Sequence, residues 1–158
     1  MGNGTEIGGV TYSKGIVASQ QKPSEQNGNK YIVNLTNGVR LEYTAQEGAS
    51  VKVKTHGLIK KCHHTVVTGL SDALIAGSTG KDAISAYFCN NVDIDVSNDH
   101  HDLPFGNDVV NVQVSEGRTN TVRVRANQGD KVTAYTNDED GKPVSIKPKQ
   151  SNGFNYEI

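Results

Sequence analysis

Tryptophan is absent from the 158-residue chain, methionine occurs once and proline only four times. Cysteine occurs twice, at Cys62 and Cys89, too few for the disulfide framework that staples small secreted domains. Two idle thiols, one bridge between them, and a metal-binding or catalytic role are the readings this leaves. No apolar run approaches the roughly 18 residues that a membrane-spanning helix needs. With a formal net charge of −1, the chain lacks the basic excess of a protein that holds nucleic acid by its phosphates. The opening MGNGTEIGGVTYSKG has no charged start leading into an apolar core, so no cleaved Sec leader is expected. Glu6 stands where N-myristoylation needs Ser or Thr. Basic residues are missing from one long stretch: between Asp82 and Gly117 there are seven acidic side chains and no Lys or Arg.

Valine is what the chain has in plenty. Its 18 residues outnumber the 6 Leu three to one, which favours strand, because branching at Cβ suits a pleated, half-buried surface. Val, Ile, Leu and Phe together make up about 23 % of the chain, above the level of roughly 20 % below which disorder is the better expectation. The 17 Gly and 15 Asn fit a chain that turns often.

Apolar residues alternate with polar ones in nine short runs: 31–35, 39–43, 51–54, 65–67, 92–96, 110–114, 121–125, 132–135 and 144–147. A period of two means strands with one face buried. Residues 71–89, where Ala73, Ala76, Ala83 and Ala86 sit among Leu and Ile, are the one helix candidate, and Gly77 and Gly80 limit it to a single short helix. Residues 1–29, rich in Gly, Ser, Gln and Asn, read as a flexible N-terminal arm. Residues 30–150 read as the ordered β domain, and 151–158 as an extended C-terminal tail.

A weak repeat bears on the architecture. Gly80-Lys-Asp82-Ala-Ile-Ser-Ala-Tyr87, Gly106-Asn-Asp108-Val-Val-Asn-Val112 and Gln128-Gly-Asp130-Lys-Val-Thr-Ala-Tyr135 each place a Gly/Asp corner before a strand, with the aspartates 26 and then 22 residues apart. A second strand follows each one. Units of strand, corner and strand at that period predict a single-domain parallel β-solenoid. The alternative is an antiparallel β-sandwich, favoured by the hairpin signal Asn37-Gly38 and by turn residues at 115–118 and 137–141. Within a solenoid, the hairpin over 31–43 would cap an open end.

The segment Gly77-Ser-Thr-Gly80-Lys-Asp82-Ala-Ile84 resembles the Gly/Asp nonapeptide of bacterial RTX β-rolls, departing from it at Ser78, where that repeat has Gly. Residues 48–147 are similar to small bacterial parallel β-solenoid proteins, secreted ones among them. The resemblance implies calcium at Asp82 and Asp108. The 22–26-residue spacing rules out a regular ion ladder, however, and Asp at a corner commonly accepts turn N–H groups instead.

Facing residues of the strands carry charge of alternating sign: Lys52 and Lys54, Asp93 and Asp95, Arg123 and Arg125. If these strands were neighbours in one sheet, acidic rungs would lie beside basic ones and fix register. Asp93 and Asp95, roughly 6.6–7 Å apart along a strand, also match the carboxylate separation of inverting glycosidases, but the chain has no Gly-His-Gly element and no Arg-x-Lys pair such as polygalacturonases carry. His56, Cys62, His63 and His64 form one cluster, and Asp99, His100, His101 and Asp102 another; neither has the spacing of a known zinc motif. Cys89 with His100 or His101 is a further, generic pairing.

The expectation is therefore a non-catalytic bacterial or phage β-solenoid module, not an enzyme, that is exported or surface-displayed without a cleaved leader and binds protein or glycan. No cofactor beyond calcium, no nucleic acid and no membrane insertion are expected, and an open solenoid end could form a homodimer. A calcium-responsive RTX-like folding module, a sandwich-type virion or cell-surface protein and a carbohydrate-active enzyme are the alternatives.

Overall fold

A computed structural model of the chain describes residues 4–56, 62–78, 81–97, 108–117, 121–151 and 155–158. They form strands β1 (Gly4–Ile7), β2 (Val10–Ser13), β3 (Val17–Gln21), β4 (Tyr31–Leu35), β5 (Arg40–Tyr43), β6 (Ala49–His56), β7 (Cys62–Thr68) and β8 (Ser71–Ala76). The series continues with β9 (Ala83–Tyr87), β10 (Asn90–Asp95), β11 (Val109–Gln113), β12 (Val122–Arg125), β13 (Lys131–Asn137), β14 (Pro143–Ile146), β15 (Lys149–Ser151) and β16 (Asn155–Glu157). The one helical element among the described residues is a three-residue 3-10 turn, Glu25–Asn27. The protein is all-β.

The strands build two eight-stranded sheets. The first runs β1-β2-β6-β7-β9-β11-β13-β14 and the second β15-β16-β12-β10-β8-β5-β4-β3. From β7 to β13 the chain alternates between them, and each strand pairs in parallel with the next but one, as in β7-β9-β11-β13 and β8-β10-β12. Inner side chains stack like upon like: Ala86 over Val112 over Ala134 in one sheet, Ile75 over Ile94 over Val124 in the other. These residues share one core that draws on both sheets.

A purely parallel arrangement is corrected by the flanks, where every pairing but β2–β6 is antiparallel, so both sheets are mixed. Hairpins β1–β2 and β13–β14 border the first sheet, while β15–β16 and the meander β3–β4–β5 border the second. Asn37-Gly38 closes the β4–β5 turn with Gly38 at φ 93°, and 137–141 closes β13–β14. Residues 115–118 close no hairpin, since β11 and β12 belong to different sheets. The helix candidate is also corrected: 71–76 and 83–87 are strands, because Ile75, Ile84 and Ala86 enter the core with a period of two.

Both termini depart from expectation. Residues 4–21 form three strands instead of a flexible arm, and the last residues form β16, with Ile158 buried. The lead-in has few apolar residues, but Ile7, Val10, Tyr12 and Ile16 all enter the core. Gly8 and Gly9, at φ 58° and 87°, make the two-residue turn between β1 and β2. A Cβ on Gly9 would sit 1.3 Å from the Gln46 carbonyl oxygen, so the close approach itself demands glycine there.

Two fully buried tyrosines lock this lead-in to the body. The Tyr43 hydroxyl donates to the Ile7 carbonyl at 2.8 Å, which leaves the Tyr12 hydroxyl as donor in the 2.6 Å bond between the two phenols. Burial pushes both phenols up, Tyr43 to about 12. Tyr43→Phe strands both the Ile7 carbonyl and the Tyr12 donor, and should cost about 1–3 kcal/mol. Tyr12→Phe leaves the Ile7 bond intact and should cost about 0.5–1.5 kcal/mol. Urea denaturation of the two variants checks that order.

Candidate functional site

The repeated aspartates are spent on backbone. The Asp82 N–H donates to the Asp108 carboxylate at 2.7 Å, and the Asp108 N–H to the Asp130 carboxylate at 2.8 Å. In the other direction, Val109 N–H donates to the Asp82 carbonyl and Lys131 N–H to the Asp108 carbonyl, each at 2.9 Å. Asp82 also receives the Ser78 N–H at 2.9 Å and its hydroxyl at 2.7 Å, so the residue that breaks the RTX pattern caps the row. Gly77 is needed beside it, since a Cβ there would lie 2.7 Å from Asp82 Oδ2. Asp82 and Asp108 are buried, and among the described residues no group of three or more His, Cys, Asp or Glu is arranged to hold a metal ion.

The charge band is assembled in part. Strands β10 and β12 are parallel neighbours, with Asp93 opposite Arg123 and Asp95 opposite Arg125 on the outer face of the second sheet. Arg123 Nε lies 2.6 Å from Asp93 Oδ1, and its second arm donates to Asn91 Oδ1 at 2.8 Å. Asn91 in turn donates to Asp72 at 2.6 Å. Asp95 accepts the Ser97 N–H and hydroxyl at 2.9 and 2.6 Å, whereas Arg125 has no ion-pair partner among the described residues. Beyond β12 the antiparallel hairpin continues the pattern, with Glu157 opposite Arg123 and Lys149 opposite Glu157. One row thus reads Lys149, Glu157, Arg123, Asp93. Lys52 and Lys54 do not belong to it: they lie exposed on β6, in the other sheet, opposite Val66 and His64.

Over this row lies an open groove of about 400 Å³, lined by Leu74, Asp93, Asp95, Arg123, Arg125 and Glu157, with Ser151 and Asn155 at its hairpin side. Ile94 and Val124 are buried towards the core and contribute main chain to its floor. Asn91 and Asp72, which hold Arg123 from the far side, were not marked by the alternation. Both have positive φ, 55° and 51°, and so break the strand period. Asn and Asp tolerate that conformation better than most residues, and this is the one signal their identity carried.

The histidine clusters are hardly in view. His56 is the cross-strand partner of Cys62, and His63 of Thr55, but their side chains lie outside what is described, as do residues 99–102. His64 Nε2 is 2.6 Å from the Ser85 hydroxyl. Cys89 is a buried free thiol, so it forms no bridge with Cys62, and burial pushes it up to about 11. A thiol that resists ionisation is a poor nucleophile at neutral pH.

One corner stands apart. Phe88, between β9 and β10, has φ 56° and is 49 % exposed. A bulky side chain in the left-handed region costs roughly 1–2 kcal/mol, and the previous corner meets the same requirement with Gly69 at φ 74°.

No protein-family model, curated protein or solved structure matches the chain. Asp108→Ala should leave the buried Asp82 N–H unpaired and cost about 1–3 kcal/mol. Asp93→Ala removes an exposed ion pair and should cost less than about 1 kcal/mol. Denaturation midpoints of the two variants check the contrast.

Proposed function

We propose that the chain is a short two-sheet parallel β-solenoid, closed by hairpins, and that it serves as a non-catalytic, exported or surface-displayed binding module of bacterial or phage origin. Its partner is a protein or glycan, engaged through the groove over β8, β10, β12 and the β15–β16 hairpin. The fold reading is supported by the alternation of β7–β13 between sheets and by the aspartate row that links equivalent corners. A solenoid accepts a whole extra unit, because each unit touches only its neighbours. Duplicating residues 82–107 should therefore give a longer chain that still melts cooperatively with strand-type circular dichroism. An aggregated or molten product would overturn the solenoid reading.

The observation that carries the binding reading is the alternation of charge over four neighbouring strands, of which Glu157, Arg123 and Asp93 on three line an open groove. Alternating rungs reward a partner that presents both signs at strand spacing, and they penalise one that is shifted by a rung. The groove is shallow and made of fixed strand positions, which suits recognition of an extended chain better than enclosure of a small substrate. An extended peptide of mixed charge is the partner these features fit best. Arg125, which lines the groove and has no ion-pair partner among the described residues, is its natural anchor.

An array of mixed-charge peptides probed with the full chain tests this. Bound peptides should lose at least tenfold in affinity on Arg125→Glu, and should weaken as ionic strength rises and exposed charges are screened. Absence of binding across the array, or equal binding by Arg125→Glu, would sink the reading.

A further inference from the structure

The outer face of the first sheet has a different chemistry from that of the second. Thr68, Tyr87, Gln113 and Tyr135 are cross-strand neighbours in one row, and Val66, Ser85, Asn111 and Thr133 in the next. Apart from the two phenols, none of these eight residues is ionisable. Gln113, between the two tyrosines, is only 8 % exposed, although its strand position faces outward. Burial and the neighbouring Tyr87 phenol push the Tyr135 phenol up. Tyr87 and Tyr135 flank Gln113 from the two neighbouring strands.

Phe88 borders this row. Its N–H donates to the Gln113 carbonyl at 2.9 Å, and the Gly69 N–H makes the equivalent bond to the Tyr87 carbonyl at 2.9 Å. The two corners do the same backbone work in the same left-handed conformation, and glycine is the residue that meets it without strain. Placing a half-exposed aromatic ring there is unfavourable for folding. Strain of this kind is kept where the side chain is used.

Next to the aromatic row, Asn111 accepts a hydrogen bond from the Thr133 hydroxyl, and its amide N–H groups have no partner among the described residues. Aromatic rings beside an amide donor, with the charged side chains Lys52, Lys54 and Lys131 at the margins of the face, match the chemistry of a sugar. The C–H face of a pyranose lies on a ring while its hydroxyls take hydrogen bonds. A protein partner fits less well, since Phe88 and Val144 are the only large apolar side chains that are widely exposed among the described residues, too few for the apolar centre of a stable interface.

We propose that this face is a binding site for a neutral saccharide, in which Tyr87, Phe88 and Tyr135 give the stacking surface and Asn111 the hydrogen bonds. It is separate from the charged groove and does not depend on it.

Affinity electrophoresis of the full chain through gels containing neutral β-glucan, α-glucan, xylan or mannan tests the site, with a melting curve for each variant. At least one polysaccharide should retard the chain, and 0.5 M NaCl should leave that retardation unchanged. Phe88→Gly should weaken it at least fivefold while leaving the melting temperature unchanged or higher, and Tyr87→Ala and Asn111→Ala should weaken it as well. Arg125→Glu, in the groove, should not. No retardation by any of the four polymers would overturn the proposal. So would a Phe88→Gly variant that binds normally, or one that melts lower, since Phe88 would then be a packing residue.

Discussion

The interaction on which the other contacts depend is the one between a corner carboxylate and the backbone N–H of the preceding corner. Asp82, Asp108 and Asp130 are joined through both side chain and main chain, two bonds per step. A hydrogen bond to a charged acceptor in a buried corner is worth more than one on the surface, and breaking it leaves a donor with nothing to meet. The row therefore sets how β9, β11 and β13 lie on one another. The same corners bound the segments that contain β10 and β12. Only with that offset does Asp93 come opposite Arg123, and a slip of one residue would turn the side chain of the shifted strand into the core.

The ends of the stack follow from the same constraint. Each sheet of parallel strands offers open edges, and here antiparallel hairpins occupy them. The outermost strands are short: β15 has three residues, and β14 begins at a proline. Short edges and proline discourage further pairing. Capping also explains why the apparently structureless lead-in is ordered, since Tyr12 and Tyr43 complete each other's hydrogen bonding only when β2 and β5 are both in place.

The two outer faces divide the chemistry. Exposed ion pairs of this type contribute little to stability, about 0.2–1 kcal/mol, so the Lys149–Glu157–Arg123–Asp93 row matters more for register than for holding the fold. The opposite face carries tyrosines, amides and hydroxyls, with Lys52 and Lys54 at its margin.

Much of this was legible in the residues. A period of two marks which side chains of a strand share a face, so Val92 and Ile94 could be assigned inward, and Asp93 and Asp95 outward, before any coordinates. The Gly/Asp corners likewise pointed to the stacking of 92–95 on 122–125. Periodicity says nothing, however, about which sheet a strand joins. Lys52 and Lys54 alternate as cleanly as the arginines do, yet β6 pairs with β2 and β7, and only the path of the whole chain decides that. Composition misjudged residues 4–21 and 155–158 for a similar reason: a few apolar side chains suffice when the rest of the core is already there to receive them. The left-handed corner at Phe88 was invisible in sequence, because no glycine, Asn or Asp marks it and its N–H partner, the Gln113 carbonyl, lies distant along the chain. Local alternation, in short, is a property of each strand alone and can be read there, whereas partner, sheet and corner conformation come from long-range hydrogen bonds that exist only once the chain has folded.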